Sequence, residues 1–286
     1  MYQQFHRFLR LEESKILVIK KRYIQLPIFI YICFAFYFAF LLLGKSFAYE
    51  AKEDYFFEVQ FGNIIVGKAE VSVINNEKKI IVKAKTKTSG FLNTFYEYQG
   101  ELISVSLENN KMWKPYKFTT ESFFNNKNRY SDLTWGLDKS VSYELDPLLD
   151  LKEVHGIDKS SLTNVMDPLT SIINILENIK NEKNCDQSFK IFDGRRRYDL
   201  KIKSLGDAIL KNDRPKSFSG DVIICGLRMF PLGGHRLKSK WKPEEDKFSD
   251  FKIFFGTTSS GSLFPVRMNL ERWFGTVVIR LISKNM

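Results

Sequence analysis

The chain has 286 residues, a formal net charge of +11 and a hydrophobic fraction of 44%. This length suits one large domain after removal of a leader and is marginal for two, because all-β barrels and sandwiches often run to ~200–250 residues. The basic balance, with a pI near 9.4, fits anionic partners. Residues 1–48 read as an export leader, and an exported protein does not routinely meet nucleic acid.

Residues 20–48 predict export across a membrane. Lys20-Lys21-Arg22 precedes an apolar run from Tyr23 to Gly44, and Ser46 and Ala48 supply small residues at the third and last places before a cut. A basic flank, an apolar core and small residues before the cleavage point are typical of a secretory signal. We therefore predict cleavage after Ala48 and a periplasmic protein.

The alternative is an uncleaved membrane anchor formed by residues 23–44. A run of this length spans ~30 Å of hydrocarbon at ~1.5 Å per residue, and the preceding positive charge keeps the N-terminus in the cytoplasm. Either way, residues 1–48 are the signal or anchor, and residues 49–286 form a single domain outside the inner membrane. Lipidation of Cys33 is not expected, because Tyr31 and Ile32 stand where a lipoprotein signal requires small residues.

The exported part remains basic. Its net charge is about +6, since residues 1–48 hold seven Lys/Arg and two Glu. This excess either faces anionic lipid headgroups or envelope polymers, or lies as solvated lysines on the outer faces of strands. The expected partners are therefore a lipid or membrane surface, or an envelope protein, and not nucleic acid.

The exported part has the pattern of a mainly β protein. Apolar and polar residues alternate with a period of two over residues 55–61, 69–73 and 82–87, which predicts three consecutive antiparallel strands with one apolar face. Turn residues then recur at roughly ten-residue spacing, as in sandwiches and barrels. We predict a strongly curved antiparallel sheet or a partly closed barrel, preceded by the signal or transmembrane helix.

Two segments break the strand pattern. Residues 138–164 are polar and lack steady periodicity, and we interpret them as a loop or lid. Residues 168–181 predict one amphipathic helix, because Asp167 can cap it, Pro168 suits its first turn, and its apolar residues form a single stripe. This helix either covers one face or open end of the sheet, or closes a cavity.

Asp193-Gly194 predicts a β-hairpin with a two-residue turn, because this dipeptide accepts positive φ angles. Such a turn pairs Phe192 with Arg195 and Ile191 with Arg196. Arg196 then falls on the apolar face, where an unpaired guanidinium would cost several kcal/mol. It is a candidate for binding an anionic ligand group, with a structural ion pair or a position that reaches the strand end as alternatives.

Cys185 and Cys225 are the two cysteines of the exported part. In an oxidising compartment they favour one disulfide closing a loop of about 40 residues, with two free buried thiols as the alternative. A zinc site would need more ligands than His155 and His235 provide. We therefore expect no metal and no cofactor.

Catalytic candidates are weak. The Gly/Ser/Thr-rich residues 256–262 lack the spacing of a nucleophile elbow or a phosphate loop, and we interpret them as a polar loop between strands. His235 follows two glycines and has no acidic partner that sequence alone can assign. We therefore expect no enzymatic activity, and no residue is predicted to be catalytic.

The order of several segments resembles the domain-of-unknown-function 3108 family of exported bacterial proteins. The likeness rests on residues 55–67, 165–169, 192–200 and 264–267 and on Cys225, and Asp-Gly-Arg-Arg-Arg-Tyr-Asp at 193–199 is its most specific part. It implies a periplasmic, β-rich domain without an established activity. The long stretch before the apolar core departs from the family pattern. At the level of fold alone, the chain also resembles the half-barrel lipoprotein carriers of the periplasm.

These features favour a non-enzymatic envelope protein that holds a lipid-like or acyl ligand in a β half-barrel. The expected ligand contacts, beside Arg196, come from the apolar faces of strand and helix: Phe57, Val59, Ile172 and Leu176. The first alternative is a ligand-free structural or interaction module of the envelope. The second is a hydrolase of envelope polymers that uses His235 with a nearby carboxylate.

Overall fold

The structure is a computed structural model that describes residues 51–239, 247–272 and 275–282. Residues 23–44 and Ala48 lie outside this part. The membrane anchor and the cleavage point that we predict there therefore stay predictions. The described residues are mainly β, as predicted. The strands are β1 (Ala51–Phe61), β2 (Ile64–Asn76), β3 (Lys79–Thr88), β4 (Tyr98–Asn109), β5 (Met112–Phe124), β6 (Lys127–Trp135), β7 (Val141–Asp146), β8 (Gln187–Phe192), β9 (Arg197–Leu210), β10 (Gly220–Gly233), β11 (Phe251–Thr257), β12 (Leu263–Arg272) and β13 (Gly275–Ile282).

All thirteen strands belong to one antiparallel sheet with the order β7-β6-β5-β4-β3-β2-β1-β13-β12-β11-β10-β9-β8. The chain first runs outward from the centre of the sheet to β7. It then crosses to the opposite edge at β8 and returns by a second meander, so that β13 pairs with β1. The first and last strands therefore meet in the middle, and the two edges come from the middle of the sequence.

The predicted alternation at the start of the domain is confirmed. Tyr55 pairs with Val71 and Phe57 with Ala69 in the β1–β2 ladder, and Val82 pairs with Val73 in the β2–β3 ladder. Directly paired residues share a face, so these side chains line the same surface of the sheet. Tyr55, Phe57 and Val82 are buried, which identifies this surface as the inner one.

The sheet curls until its two edges face each other, but no ladder joins β7 to β8 among the described residues. The Phe192 ring packs edge-on against Tyr143, with ring centroids 5.1 Å apart. Met166 forms a parallel bridge to Ile191 and covers the edge of β8. Trp135 Nε1 donates to the Val165 carbonyl oxygen, 2.8 Å away. We call this junction the seam; it is closed by side chains and by the segment before the helix.

Two helices interrupt the strands: α1 (Phe91–Phe95) and α2 (Pro168–Glu182). Helix α2 agrees with the predicted helix and lies against the inner face, where it contacts β4, β5, β8 and β12. The interpretation of residues 138–164 as a loop was wrong in part, because they contain β7 and a 3-10 turn at Lys159–Leu162. β7 is a short edge strand of six residues with only Leu145 buried, so it lacks the apolar alternation that marks the other strands.

Candidate functional site

A cavity of about 600 Å³ lies between helix α2 and the inner face of the sheet. Its floor comes from β1, β2 and β3, its far wall from β12 and β13, and its roof from α2. The apolar side chains that line it come from strands and helix: Ala51, Tyr55, Phe57, Val59, Ala69, Val71, Val73, Ile80, Val82, Ala84, Leu169, Ile172, Ile173, Leu176, Ile253, Leu263, Phe264, Pro265, Met268 and Ile279.

A buried polar cluster fixes the start of the roof. Asp167 is fully buried and caps α2: its Oδ1 accepts hydrogen bonds from the backbone N–H of Leu169 and of Thr170, each 2.9 Å long. The Thr170 hydroxyl donates to Asp167 Oδ2 and lies 2.7 Å from the Ser106 hydroxyl on β4. Burial raises the pKa of Asp167, although these hydrogen bonds act to lower it. The first turn of α2 is thereby tied to the sheet.

Asn174 ties the middle of α2 to the same side of the sheet. Its side-chain oxygen accepts from the Trp113 backbone N–H, at 3.0 Å, and its Nδ2 donates to the Trp113 carbonyl oxygen, at 2.9 Å. A buried amide that pairs with both backbone groups of one residue leaves neither unsatisfied. The helix is thus held at a fixed height above β5, which keeps open the space over β1–β3.

The rim of the cavity carries a hydrogen-bonded carboxylate. Glu53 accepts from the hydroxyls of Tyr55, at 2.6 Å, Ser260, at 2.8 Å, and Ser262, at 2.7 Å. Partial burial acts to raise the pKa of Glu53, but the three hydroxyl donors outweigh it, so this pKa lies below its ordinary value. Burial and the neighbouring Glu53 raise the pKa of the Tyr55 phenol. Glu53 therefore holds the loop between β11 and β12 against β1.

Helix α2 supplies the other charges in the lining. Glu177 and Lys180 form an ion pair of 2.9 Å on a partly exposed part of the helix. Together with Glu53, they are the charged side chains among the described lining residues. The polar groups thus lie where the cavity meets solvent, and the remainder of the surface is largely apolar.

The structure brings together four of the predicted ligand contacts. Phe57 and Val59 line the cavity from β1, and Ile172 and Leu176 line it from α2. Their role in binding stays a prediction. Arg196 does not belong to this set: it is exposed and lies in the turn after β8, outside the lining.

The predicted register of the hairpin was wrong. Phe192 pairs with Arg197, two residues beyond the predicted partner, so residues 193–196 form a four-residue connection. The cause is Asp193, whose Oδ1 accepts from the backbone N–H of Arg195, at 2.9 Å, and of Arg196, at 2.6 Å. Burial raises the pKa of this carboxyl. The shift of two residues preserves the faces of both strands but removes Arg196 from the apolar one.

The neighbouring arginines close the seam. Arg195 Nη2 donates to three carbonyl oxygens, of Tyr130, at 3.2 Å, of Asp146, at 2.8 Å, and of Pro147, at 2.9 Å. Arg197 is buried, donates through Nε to the Ser161 carbonyl oxygen at 3.0 Å, and pairs with Asp199 at 2.7 Å. The arginine-rich segment therefore joins one edge of the sheet to the other.

Gly194 is required at this junction by both conformation and space. Its φ is +90°, and a Cβ placed on it would lie 2.8 Å from Ser131 Cβ and 2.9 Å from Leu133 Cδ1. Residues that carry a side chain rarely adopt such a φ, and both of these distances are too short for normal packing. The turn therefore approaches β6 as closely as backbone allows.

Cys185 and Cys225 are joined by a disulfide in the structure, with an S–S distance of 2.09 Å. Both residues are fully buried. The bond links the segment after α2 to β10, and it lies in the cluster that also contains Phe189, Leu200 and Phe255. It thus fixes the C-terminal end of α2 over the second meander.

His235 contacts a second histidine. The rings of His155 and His235 are stacked with centroids 4.2 Å apart, and the His155 backbone N–H donates to the His235 carbonyl oxygen at 2.9 Å. Burial, and then His155, lower the pKa of His235. Within the described residues, His235 Nδ1 has no hydrogen-bond partner, and His, Cys, Asp and Glu form no group of three or more that could hold a metal ion.

Sequence reasoning missed the rim. Glu53 and Ser262 are 209 residues apart in the sequence, and no local pattern links them. The hollow floor did carry a signal, because Ala69 and Ala84 put small side chains on the inner face. In the part of the chain that the structure describes, no helix is long and apolar enough to cross a membrane.

The fold and cavity define a class of β-rich protein in which one curled antiparallel sheet and a helix enclose an apolar space. The chain belongs to the family described as Protein of unknown function (DUF3108), whose profile matches residues 56–282. The resemblance inferred from the sequence is thereby confirmed.

A search of curated proteins gave no significant match. Among solved structures, the chain is similar to a beta-barrel-like protein of the domain of unknown function DUF1849 from Brucella abortus. The two share 9% sequence identity with a TM-score of 0.46, and the match covers 83% of this chain and 99% of that one.

Proposed function

We propose that this chain is a non-enzymatic protein of the cell envelope that holds a lipid-like or acyl ligand beneath α2. The single observation that carries the proposal is the apolar cavity of about 600 Å³. Its volume falls within the ~300–1,000 Å³ that is usual for small-molecule sites. A void of this size between sheet and helix is uncommon in a close-packed interior, and a ligand accounts for its retention.

The distribution of polarity favours an amphiphile. The interior presents aliphatic and aromatic side chains, whereas Glu53, Glu177 and Lys180 lie at the solvent side. A ligand with a charge on its buried part would lose hydration without a partner. A hydrocarbon chain placed inside avoids this loss of hydration, because its polar group can remain at the solvent side, beside the carboxylates and the lysine.

The predicted export of residues 49–286 supports the same proposal, because the cell envelope is rich in acyl chains. The hydrolase alternative requires a carboxylate beside His235; among the described residues, the ring contact of His235 is with His155.

The test is to identify what the purified protein carries. The protein is exported in a bacterial host behind its own leader, purified without denaturant, extracted with organic solvent and analysed by mass spectrometry. We expect acyl-containing molecules in the extract and saturable binding of a fluorescent fatty acid to the delipidated protein.

Two variants localise the binding. Val71→Trp fills the cavity from β2, and we expect it to reduce binding of the fluorescent fatty acid by about tenfold. Lys83→Trp places the same side chain on the exposed outer face of β3 and serves as the matched control. The proposal is wrong if wild-type protein yields no acyl molecule and binds no probe, or if both variants bind as well as wild type.

A further inference from the structure

Five exposed apolar side chains gather at one corner of the sheet. Ile64 is the first residue of β2, and Phe124 is the last residue of β5. The other three lie in α1 or directly after it: Phe91, Phe95 and Tyr96. Their exposures are 62%, 41%, 75%, 58% and 53%, in that order. Helix α1 has no buried residue at all. We call these five residues the aromatic corner.

The corner is held in place by hydrogen bonds. The Ser89 backbone N–H donates to the Val66 carbonyl oxygen at 3.0 Å, which ties the start of the α1 loop to β2. The Thr88 hydroxyl donates to Asn93 Oδ1 at 2.7 Å and also accepts from the Tyr98 N–H at 2.9 Å. The rings of Phe91 and Phe95 contact each other, with centroids 4.9 Å apart. These contacts fix the α1 loop to β2 and to the start of β4, and they place the two phenylalanine rings together.

The next turn is connected to the same corner. The Asn125 backbone N–H donates to the Glu97 carbonyl oxygen at 3.1 Å, and Phe124 pairs with Tyr98 at the end of β4. Connections at the ends of β1, β3 and β5 therefore form one continuous surface. A contiguous exposed apolar patch of this kind marks a site of interaction rather than an accident of composition.

Cations flank the corner. Lys87 precedes the α1 loop, and Lys127 and Arg129 lie on β6 just beyond the β5–β6 turn; all three are exposed. The acid within the α1 loop is Glu97. Aromatic rings at loop tips with a basic flank suit the headgroup region of an anionic bilayer, where rings enter the interface and cations meet phosphate.

We infer that the aromatic corner docks the protein onto an anionic lipid surface, with Phe91 and Phe95 entering the headgroup region. This surface is separate from the ligand cavity, because Glu53 and the β11–β12 loop at its rim lie at the opposite end of the sheet. Docking and ligand binding therefore succeed or fail independently.

The first test is flotation with vesicles. The exported protein is mixed with vesicles of phosphatidylethanolamine and phosphatidylglycerol in equal parts, or of phosphatidylcholine alone. We expect binding to the anionic vesicles that weakens with salt, and about a tenfold loss of binding for Phe91→Glu combined with Phe95→Glu. Leu137→Glu is the matched control, since Leu137 is fully exposed in the β6–β7 turn at the other end of the sheet.

The second test measures directly whether the aromatic corner enters the bilayer, and it applies whether or not the leader is cleaved. Phe91→Trp and Leu137→Trp are compared in vesicles whose acyl chains carry bromine, after subtraction of the wild-type tryptophan signal. We expect quenching of the tryptophan at position 91 and not of that at position 137.

Three outcomes would overturn the inference. The first is equal flotation of wild type and the Phe91→Glu, Phe95→Glu variant, with circular dichroism showing that both are folded. The second is quenching at position 137 in place of position 91. The third is stoichiometric binding of an envelope protein to the corner without any affinity for vesicles, which would assign the surface to a protein partner.

Discussion

The inner face of the sheet is filled over β8–β11, which we call the filled half, and hollow over β1–β3, which we call the hollow half. Over β8–β11, large side chains such as Phe189, Leu200 and Phe255 pack against Ile175 and Ile179 of α2. Over β1–β3, the inner positions opposite α2 include small side chains, Ala69, Val71 and Ala84, and a cavity remains. The same helix roofs both halves.

The comparison separates two kinds of information in the sequence. Alternation decides which side chains point inward; it is clear in β3, whereas residues 253–256 of β11 are all buried. Side-chain volume decides whether the inward positions fill the space that the helix leaves. Protein interiors are normally close-packed, so the filled half shows ordinary packing and the hollow half does not. Four predictions test this difference and the contacts that border it.

The largest effect is expected from the disulfide of the filled half. Replacing Cys185 and Cys225 by alanine removes a cross-link that closes 40 residues, and chain entropy gives a loss of about 4 kcal/mol in the free energy of unfolding. Denaturant titration of the oxidised wild type and the double variant measures it. A loss below about 1 kcal/mol would mean that the filled half is held by packing alone.

Two isoleucines of α2 give a matched pair. Ile175 is fully buried in the filled half, and Ile175→Ala should lower the free energy of unfolding by about 3 kcal/mol. Ile172 faces the cavity, and Ile172→Ala should cost about 1 kcal/mol, because fewer packing contacts are lost. Denaturant titration compares them, and equal losses would contradict the division into halves.

The reverse substitution sharpens the same comparison. Leu227 is buried in the filled half, so Leu227→Phe should destabilise by about 1–3 kcal/mol through overpacking. Leu176 borders the cavity, and Leu176→Phe should change stability by less than about 0.5 kcal/mol while it lowers ligand occupancy. Thermal unfolding and probe binding report the two effects. A strong destabilisation by Leu176→Phe would show that the cavity has no room.

The smallest effect concerns the rim. The folded-state pKa of Glu53 lies below its ordinary value of 4.5, so its contribution to stability is present above that value and is lost as the pH falls through the folded-state pKa. Between about pH 6 and about pH 3, wild type should lose roughly 0.5 kcal/mol more than Glu53→Gln, because solvent screens this partly exposed carboxylate. Urea titrations across this range measure the free energy of unfolding of both proteins. If it falls in parallel for both, the hydrogen bonds to the Glu53 carboxylate do not stabilise the fold.

The regular parts of the fold follow from the sequence. The alternation through Tyr55, Phe57 and Val59 places β1 and its inner face, and Asp167 with Pro168 begins α2 at the observed residue. These are local signals, in which neighbouring residues determine the conformation.

The contacts of the seam and of the cavity rim could not be predicted from the sequence. The register after Phe192 depends on the side chain of Asp193, which accepts two backbone N–H groups, whereas the Asp-Gly dipeptide by itself favours the two-residue turn that was predicted. Arg195 acquires its role from the carbonyl oxygens of β6 and β7, which reach it only when the sheet curls. The height of α2 above the sheet depends on Asn174 and Trp113, 61 residues apart.

The pairing of β13 with β1 has a consequence for biogenesis. A ribosome delivers β1 first and β13 last, so the neighbour of β1 on that side is missing until nearly the whole domain has been made. During this interval β1 presents unpaired N–H and C=O groups along an open edge, which invites association with other chains. A nascent chain cut before Gly275 would keep that edge permanently, and we expect such fragments to need a chaperone until they are degraded.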